Sequence, residues 1–495
     1  MNDVAIPARG FFELTEWLAR GRGAAEASRF EEARQAYLQA MKLAPNSIDA
    51  LRGLGYSLLQ LKRLDESLQM IERALAVDPS DLLSHLIMGR LCLRLQQPAG
   101  AEEHFRTILR RIENSAAARS GLIDALVAQG QLADAETLRD QILRADPQSE
   151  VGLLAAARVA ALQRDDEAAL RHFEALVRLR PGNAAHRYNR GLCLLRMGRF
   201  DEGWSDYEYR FAAGAVDLQL PSTPRWDGKR VGHLLVAAEQ GLGDAILFSR
   251  FIGDAARAAE QVTLVCPDSL VGLLERSLGC TCIPDRGGEL PPHDAHVPLM
   301  SLPHVLGLGA AAVAVRPAYL TVDAARRERW SEALGPRQNG EVRIGIVHAT
   351  SVAHSTEENP FTCRSCPAEA FVSFTGAPGV AAYNLNVGRT AEQACEQLPG
   401  LRGLPRELGD FDDTAAVAGL MDAVVCVDTA IAHVTGATGV RTGLLLPYAR
   451  DWRWMSREGR LPWYWSVQAA WQEEPGQWAA PVRELRDSLV ADRVS

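Results

Sequence analysis

The sequence predicts a helical repeat array, an α-solenoid, followed by a pair of α/β domains built on parallel sheets. Three observations carry this. A 34-residue period runs through the first two-fifths of the chain. Near residue 230 the rhythm changes to short apolar runs alternating with helical stretches. A break at residues 337–340 then divides this second region in two.

The period is read from independent columns. Pro45, Pro79, Pro147 and Pro181 share one 34-residue grid, with Glu113 in the slot that lacks proline. A second column, Ala33, Ser67, Ala101, Ala135, Ala169 and Gly203, is small throughout, and a third reads Gly21, Gly55, Gly89, Ile123, Ala157 and Gly191. Small residues where two helices cross, with proline after the second, make the tetratricopeptide pattern. Six helix–turn–helix repeats are expected from residue 14 to about 213. In the second repeat Leu51, Leu54, Gly55 and Leu58 line one helix face, and Ser67, Ile71 and Ala74 the next. Proline stops each second helix because it lacks an N–H and clashes with the preceding turn. Stacked repeats curl around a groove, which predicts a protein or peptide partner; a packing or dimerisation module is the plainer alternative.

The sixth repeat runs into an aromatic segment, Gly203–Phe211, expected to dock on something rather than end in solvent. The polar stretch Ala212–Lys229, with Pro221, Pro224 and Trp226-Asp227-Gly228, reads as a linker. The expected divisions are a solenoid at 1–213, a linker at 214–229 and domains at 230–336 and 337–495. Strands are expected at His233–Ala238, Val262–Cys266, Cys280–Ile283 and His296–Leu299, then at Val342–Val347, Val380–Leu385, Ala423–Val427 and Thr442–Leu446. Helical stretches between most of them give βαβ alternation and parallel sheets. Two such Rossmann-like domains facing each other across a cleft form the GT-B architecture.

Composition narrows the class. A chain of 495 residues is too long for one core, and 47% hydrophobic with 23% charged residues is ordinary for a globular protein. The net charge of −9 argues against nucleic acid or an anionic membrane as main partner. No apolar run reaches bilayer length, and residues 1–10 show no signal pattern; a cytoplasmic protein is expected. Cys280-x-Cys282 and Cys363-x-x-Cys366 allow a zinc reading. The strand-like context and poor spacing of the first pair favour core thiols instead, so no metal is expected.

Four segments could carry chemistry. Glu239-Gln240-Gly241-Leu242-Gly243-Asp244 follows the first strand of its domain. Its glycines allow a tight turn into a helix, and ligands in such folds bind at strand carboxyl ends. Asp244, in the first helical turn, either acts as general base on an acceptor hydroxyl or only caps its helix. In Asp428-Thr429-Ala430-Ile431-Ala432-His433 a buried strand gives way to a helix whose first N–H groups would hold a diphosphate. Thr429 can add a hydrogen bond, and His433 lies one turn further on. The long polar loop from His348-Ala349-Thr350 to Cys363-Arg364-Ser365 carries His354, Asn359 and Arg364, which could neutralise phosphate. The aromatic runs Asp451-Trp452-Arg453-Trp454 and Pro462-Trp463-Tyr464-Trp465 could stack on a sugar or base, although packing between lobes is the commoner use.

Assembled, these segments resemble a bacterial family in which tetratricopeptide repeats are fused to a glycosyltransferase domain related to ADP-heptosyltransferases (glycosyltransferase family 9-like). The resemblance spans nearly the whole chain. It rests on Trp226-Asp227-Gly228, on the segment 239–244, on Pro298-Leu299-Met300-Ser301-Leu302-Pro303, on 428–433, and on 451–454 with 462–464. It implies a GT-B fold, a nucleotide-sugar donor bound mainly by the C-terminal domain, an acceptor-side loop at Gln240, Gly241 and Gly243, and no required metal or other cofactor. Asp244 falls on the catalytic aspartate, and Asp428, Thr429, Ala430 and His433 on the donor-phosphate motif. Arg364, His348 and Asn384 fall where donor sugar and base would be read. The chain departs from the family's pattern here: His348-Ala349-Thr350 replaces a tryptophan and small-polar pair, and an aspartate shortly before Arg364-Ser365 is missing. Asn384-Leu385-Asn386 and Ala470-Trp471-Gln472 replace Ser-Leu-Gln and Phe-Arg-Gln types. The layout also looks like protein O-glycosyltransferases whose repeats feed a polypeptide to a GT-B site, an arrangement comparable to that of bacterial flagellin glycosylation.

The expectation is therefore a glycosyltransferase acting on a protein, flagellin-like or another surface protein, held by the repeats, with self-association left open. The rivals are a repeat adaptor with a decayed transferase domain and a transferase acting on lipid or polysaccharide.

Overall fold

The computed structural model describes residues 8–494 except 217, 220, 315, 351–358 and 456–460, so His354 lies outside the described residues. The chain forms two compact units, Met1–Val159 and Ala160–Ser495.

The first unit holds α1 (Ala8–Glu26), α2 (Phe30–Leu43), α3 (Ile48–Gln60), α4 (Leu64–Val77), α5 (Leu82–Arg94), α6 (Pro98–Leu109), α7 (Ala116–Ala128), α8 (Leu132–Ala145) and most of α9 (Glu150–Leu162). The glycine column exists because each glycine sits under the side chain sixteen residues on. A Cβ would meet Tyr37 at 2.8 Å from Gly21, Ile71 at 2.4 Å from Gly55 and Phe105 at 2.7 Å from Gly89. Ser67 Oγ donates to the Gly55 carbonyl at 2.8 Å, tying the two small columns together.

Two further columns share the 34-residue grid. Ser47, Asp81 and Ser115 cap α3, α5 and α7 by accepting from the N–H three residues on, the preferred chemistry for orphan N–H groups at a helix start. The turn between the helices of each repeat needs one residue in the left-handed region. Ser28, Lys62 and Gln96 adopt it at φ between 57° and 61°, and Gly130 takes the next slot.

The second unit begins with α10 (Asp166–Leu179), α11 (Ala184–Arg196) and α12 (Phe200–Tyr207). A first parallel sheet follows: β1 (Val231–Ala237), β2 (Ala259–Cys266), β3 (Thr281–Pro284) and β4 (Ala295–Pro298), in the order β3-β2-β1-β4. The second parallel sheet holds β5 (Val342–Val347), β6 (Val380–Asn384), β7 (Ala423–Val427), β8 (Thr442–Leu446) and β9 (Val467–Trp471), in the order β6-β5-β7-β8-β9. The expected strands lie within two or three residues of these, but β9 was not anticipated. It is an edge strand with mixed burial that includes Gln468 and Trp471, so it lacks the continuous apolar run of a strand buried on both faces.

The stretch read as a linker is partly fixed. Trp226 is buried, its N–H donates to the His296 carbonyl at 2.8 Å, and His296 N–H donates to Pro224 at 3.0 Å, which holds the stretch to β4. The aromatic end of α12 docks as expected. Trp204 and Tyr207 pack edge-on against Trp452, with ring centroids 5.6 and 5.8 Å apart, and Trp204 meets Phe248 at 6.0 Å. Among the described residues no helix is long and apolar enough to cross a membrane, and no three His, Cys, Asp or Glu side chains group as a metal site.

Candidate functional site

Each sheet order reverses direction once. In the first the reversal falls at β1 beside β4, in the second at β5 beside β7. Open α/β sheets bind ligands outside the carboxyl ends of strands at such points. Here β1 leads into α13 (Leu242–Ser249) through Gln240-Gly241, and β7 leads into the Ala430–Thr438 helix through Asp428-Thr429. The two helix starts meet at Gly243. A Cβ there would lie 2.7 Å from His433 Cδ2 and 3.7 Å from Ala430 Cα, so only glycine permits the approach.

Around this meeting point lies a cavity of about 750 Å³, lined among others by Gly241, Gly243, Asp244, Thr350, Arg364, Asn386, Asp428, Thr429, Ala430, His433, Arg453 and Trp454. The volume is in the range of small-molecule sites. Gln240, before the tight turn, adopts φ 62°, a left-handed conformation unusual away from glycine.

Asp244 does two things. Its Oδ2 accepts from Gly241 N–H at 3.3 Å, the helix-capping role, while Oδ1 accepts from Arg453 Nε at 2.6 Å. Arg453 is the residue that sequence reasoning missed, because it sits inside a run that reads as aromatic. Its Nη1 reaches both Asp451 oxygens, at 3.1 and 3.2 Å, and its Nη2 reaches Gln240 Oε1 at 3.4 Å. Burial opposes its charge, but Asp244 and Asp451 more than offset this and raise its pKa well above the usual value.

On the opposite side Thr429 stands at the N-cap of its helix without a side-chain capping bond, and its buried Oγ1 has no partner. Asp428 accepts from Trp454 Nε1 at 2.8 Å and has Arg364 Nη1 at 3.7 Å; burial, with Asp451 nearby, raises its pKa. His433 is buried, stacked on Trp454 with centroids 4.6 Å apart, and its Nδ1 meets Tyr464 Oη at 3.0 Å. Burial, followed by the charge of Arg453, pushes its pKa down to about 3. His433 is therefore neutral near pH 7 and offers a phosphate no full positive charge.

Two expected donor contacts lie behind the cavity wall. Asn384 is buried, donating to the Ala391 carbonyl at 2.7 Å and accepting from Asn386 N and Nδ2 at 3.0 and 2.7 Å, so it positions Asn386, which does line the cavity. His348 is likewise buried. Its Nδ1 faces the Cys366 carbonyl at 3.0 Å, and its neighbours Ala349 and Thr350 line the wall in its place. Gln240 also stands off the cavity, its Nε2 donating to Tyr207 Oη at 2.6 Å. Behind it Glu239 is buried against Arg210, which donates at 2.7 and 3.2 Å, and Met300 N–H adds a bond at 3.0 Å. The aromatics Trp452, Trp463 and Tyr464 are buried and serve packing, Trp454 is buried yet lines the cavity, and Trp465 is exposed.

Tetratricopeptide repeat models match residues 18–81, 93–157 and 154–215, so this part of the chain carries tetratricopeptide repeats. Protein FlbA of Caulobacter vibrioides is a homologue, 24% identical over 481 residues that span 90% of this chain and 73% of that protein. Among solved structures, a tetratricopeptide repeat protein from Parabacteroides merdae is 18% identical over 41% of this chain and 80% of its own, at a TM-score of 0.34. PilW, a type IV pilus biogenesis factor, is 19% identical over 42% and 94%, at 0.34. YrrB, a tetratricopeptide protein with an unusual peptide-binding site, is 20% identical over 34% and 86%, at 0.29.

Proposed function

We propose that the chain is a GT-B glycosyltransferase that moves a sugar from a nucleotide donor to a protein acceptor recruited by the repeats. On this reading residues 230–336 form the acceptor side and 337–495 the donor side. The observation that carries it is the convergence of the two strand-end turns on one cavity, an acid at one and an uncapped helix start with an unpartnered hydroxyl at the other. Asp244 takes the proton of the acceptor hydroxyl, and the acceptor oxygen bonds to the anomeric carbon. The bond from that carbon to the phosphate oxygen breaks, and its electron pair leaves on the nucleoside diphosphate. The helix start at Thr429 and the Arg364 guanidinium stabilise that charge, each such contact contributing a few kcal/mol to the barrier. Tetratricopeptide repeats commonly present an interaction groove, which supports a protein acceptor. Nine free thiols suit a reducing compartment, and the cytoplasm is the proposed location.

The test compares glycosylated proteins in cells with and without the gene. One glycosylated species is expected to vanish on deletion and return with the wild-type chain. It should not return with Asp244→Ala, provided that variant melts like wild type; restoration by Asp244→Ala would remove the base. A second reading, an adaptor with an inactive cleft, is favoured by the ion pair that occupies Asp244 and by the inward-facing Asn384 and His348. It predicts that deletion changes no glycosylated species, whether protein, lipid or polysaccharide.

A further inference from the structure

We propose that Arg453 is shared between Asp244 and the phosphates of the bound donor, so that donor binding releases the base. The inference rests on the nucleotide-sugar reading of the cavity.

The backbone of Arg453 is fixed while its guanidinium lines the cavity. It lies on the single turn Trp452–Trp454, which Asp451 caps by accepting from Arg453 N–H at 2.8 Å. Trp452 is wedged edge-on between Trp204 and Phe248, and Trp454 Nε1 holds Asp428 at 2.8 Å. The planar fork of an arginine pairs equally well with a carboxylate or a phosphate. At present it is spent on Asp244 at 2.6 Å and on Asp451, yet its charge is also felt at Asp428 and His433, on the donor side.

Among the described residues Arg364 and Arg450 also line the cavity, but only Arg453 links its acid to its donor side. His433 is held neutral, and Arg364 stands 3.7 Å from Asp428. Asp244 Oδ1 is taken up by the guanidinium and Oδ2 by the Gly241 N–H, so neither oxygen is left open to an acceptor hydroxyl. A diphosphate at Thr429 brings more negative charge than Asp244 and draws the fork toward it. Asp244 is then left with its backbone bond from Gly241 and is free to accept a proton. The free protein thus holds its base masked, and the donor binds before the acceptor reacts.

The experiment is calorimetric titration of the full chain with ADP, GDP, UDP and dTDP, for wild type, Asp244→Asn, Arg453→Gln, Arg453→Lys and the Asp244→Asn/Arg453→Gln double variant. At least one diphosphate is expected to bind wild type. Asp244→Asn frees the fork and should bind it at least threefold tighter. Arg453→Gln should bind at least tenfold weaker, and Arg453→Lys, which keeps the charge without the fork, should fall between. The double variant should bind no tighter than Arg453→Gln alone. Unchanged affinity in Asp244→Asn, or in Arg453→Gln, with wild type still binding, overturns the sharing and leaves the donor site standing. If none of the four binds wild type, the reading of the cavity falls and the sharing falls with it.

Discussion

The same repeat columns run through both compact units, and the two units use them differently. In Met1–Val159 the columns only build repeats. Gly55 makes room for Ile71, and Lys62 supplies a left-handed turn. In Ala160–Ser495 the equivalent positions are diverted to the α/β part. Arg164 occupies the left-handed slot at φ 64°, and its guanidinium donates to the Tyr448 and Gln472 carbonyls at 2.7 and 2.6 Å. Gly191 lies over Tyr207, the core aromatic of its repeat, whose hydroxyl accepts from Gln240 beside the cavity. A repeat position therefore tells how the chain packs. Its departures from the other repeats tell where it has been put to a further use.

The strongest way to break this contrast is Glu239→Ala. It takes from the Arg210 guanidinium, fully buried beside α12, the buried one of its two carboxylates and leaves only the partly exposed Glu208 at 2.8 Å, at a cost of about 3 kcal/mol. Nine of the ten tryptophans lie between Trp204 and Trp478, so urea unfolding followed by tryptophan fluorescence reports mainly on the second unit, and its midpoint should fall sharply.

Next comes one repeat position tested in both units. In Gly191→Ala the new methyl meets the backbone N of Tyr207 at 2.9 Å, which cannot give way, so a loss of about 3 kcal/mol is expected. In Gly55→Ala it meets the side chain of Ile71 rather than backbone, and the gain in helix propensity of about 1 kcal/mol offsets part of the strain, so a smaller loss is expected. Equal losses at both sites would remove the distinction.

His433 sharpens the contrast through pH. The unfolded histidine takes up a proton below pH 6.5, whereas the folded one resists to about pH 3. Its neutral burial is therefore compatible with full stability above 6.5, and stability is lost as pH falls, by about 1.4 kcal/mol per unit within that window. Denaturation of wild type and His433→Asn at pH 6.5 and 5.5 should show a shallower pH slope in the variant.

The smallest effect is at the left-handed column. Lys62→Gly removes a strained φ and should stabilise the first unit by up to about 1 kcal/mol. The same change at Arg164 loses two carbonyl contacts and should destabilise. Thermal melts of the two variants moving in the same direction would count against the comparison.

Much of this was legible in the sequence. The small, glycine and proline columns located the helices, and the buried strands β5, β7 and β8 read cleanly as apolar runs. The capping column Ser47–Asp81–Ser115 and the left-handed column were written on the same grid but in changing residue types, so chemistry varied where geometry did not. At the cavity the motifs gave Asp244, Asp428, Thr429 and His433 places on its lining. They did not give Arg453, because its partner Asp244 lies 209 residues away in the chain. Nor did they reveal that Asn384 and His348 turn inward, since only three-dimensional packing decides which of two neighbours lines a wall.

The most direct test of the central claim, that both strand-end turns hold one nucleotide, is hydrogen–deuterium exchange of the full chain with and without saturating nucleoside diphosphate. The account predicts slowed exchange at residues 241–245 and 429–433 together. No change at either segment, or protection confined to the repeats of Met1–Val159, would contradict it.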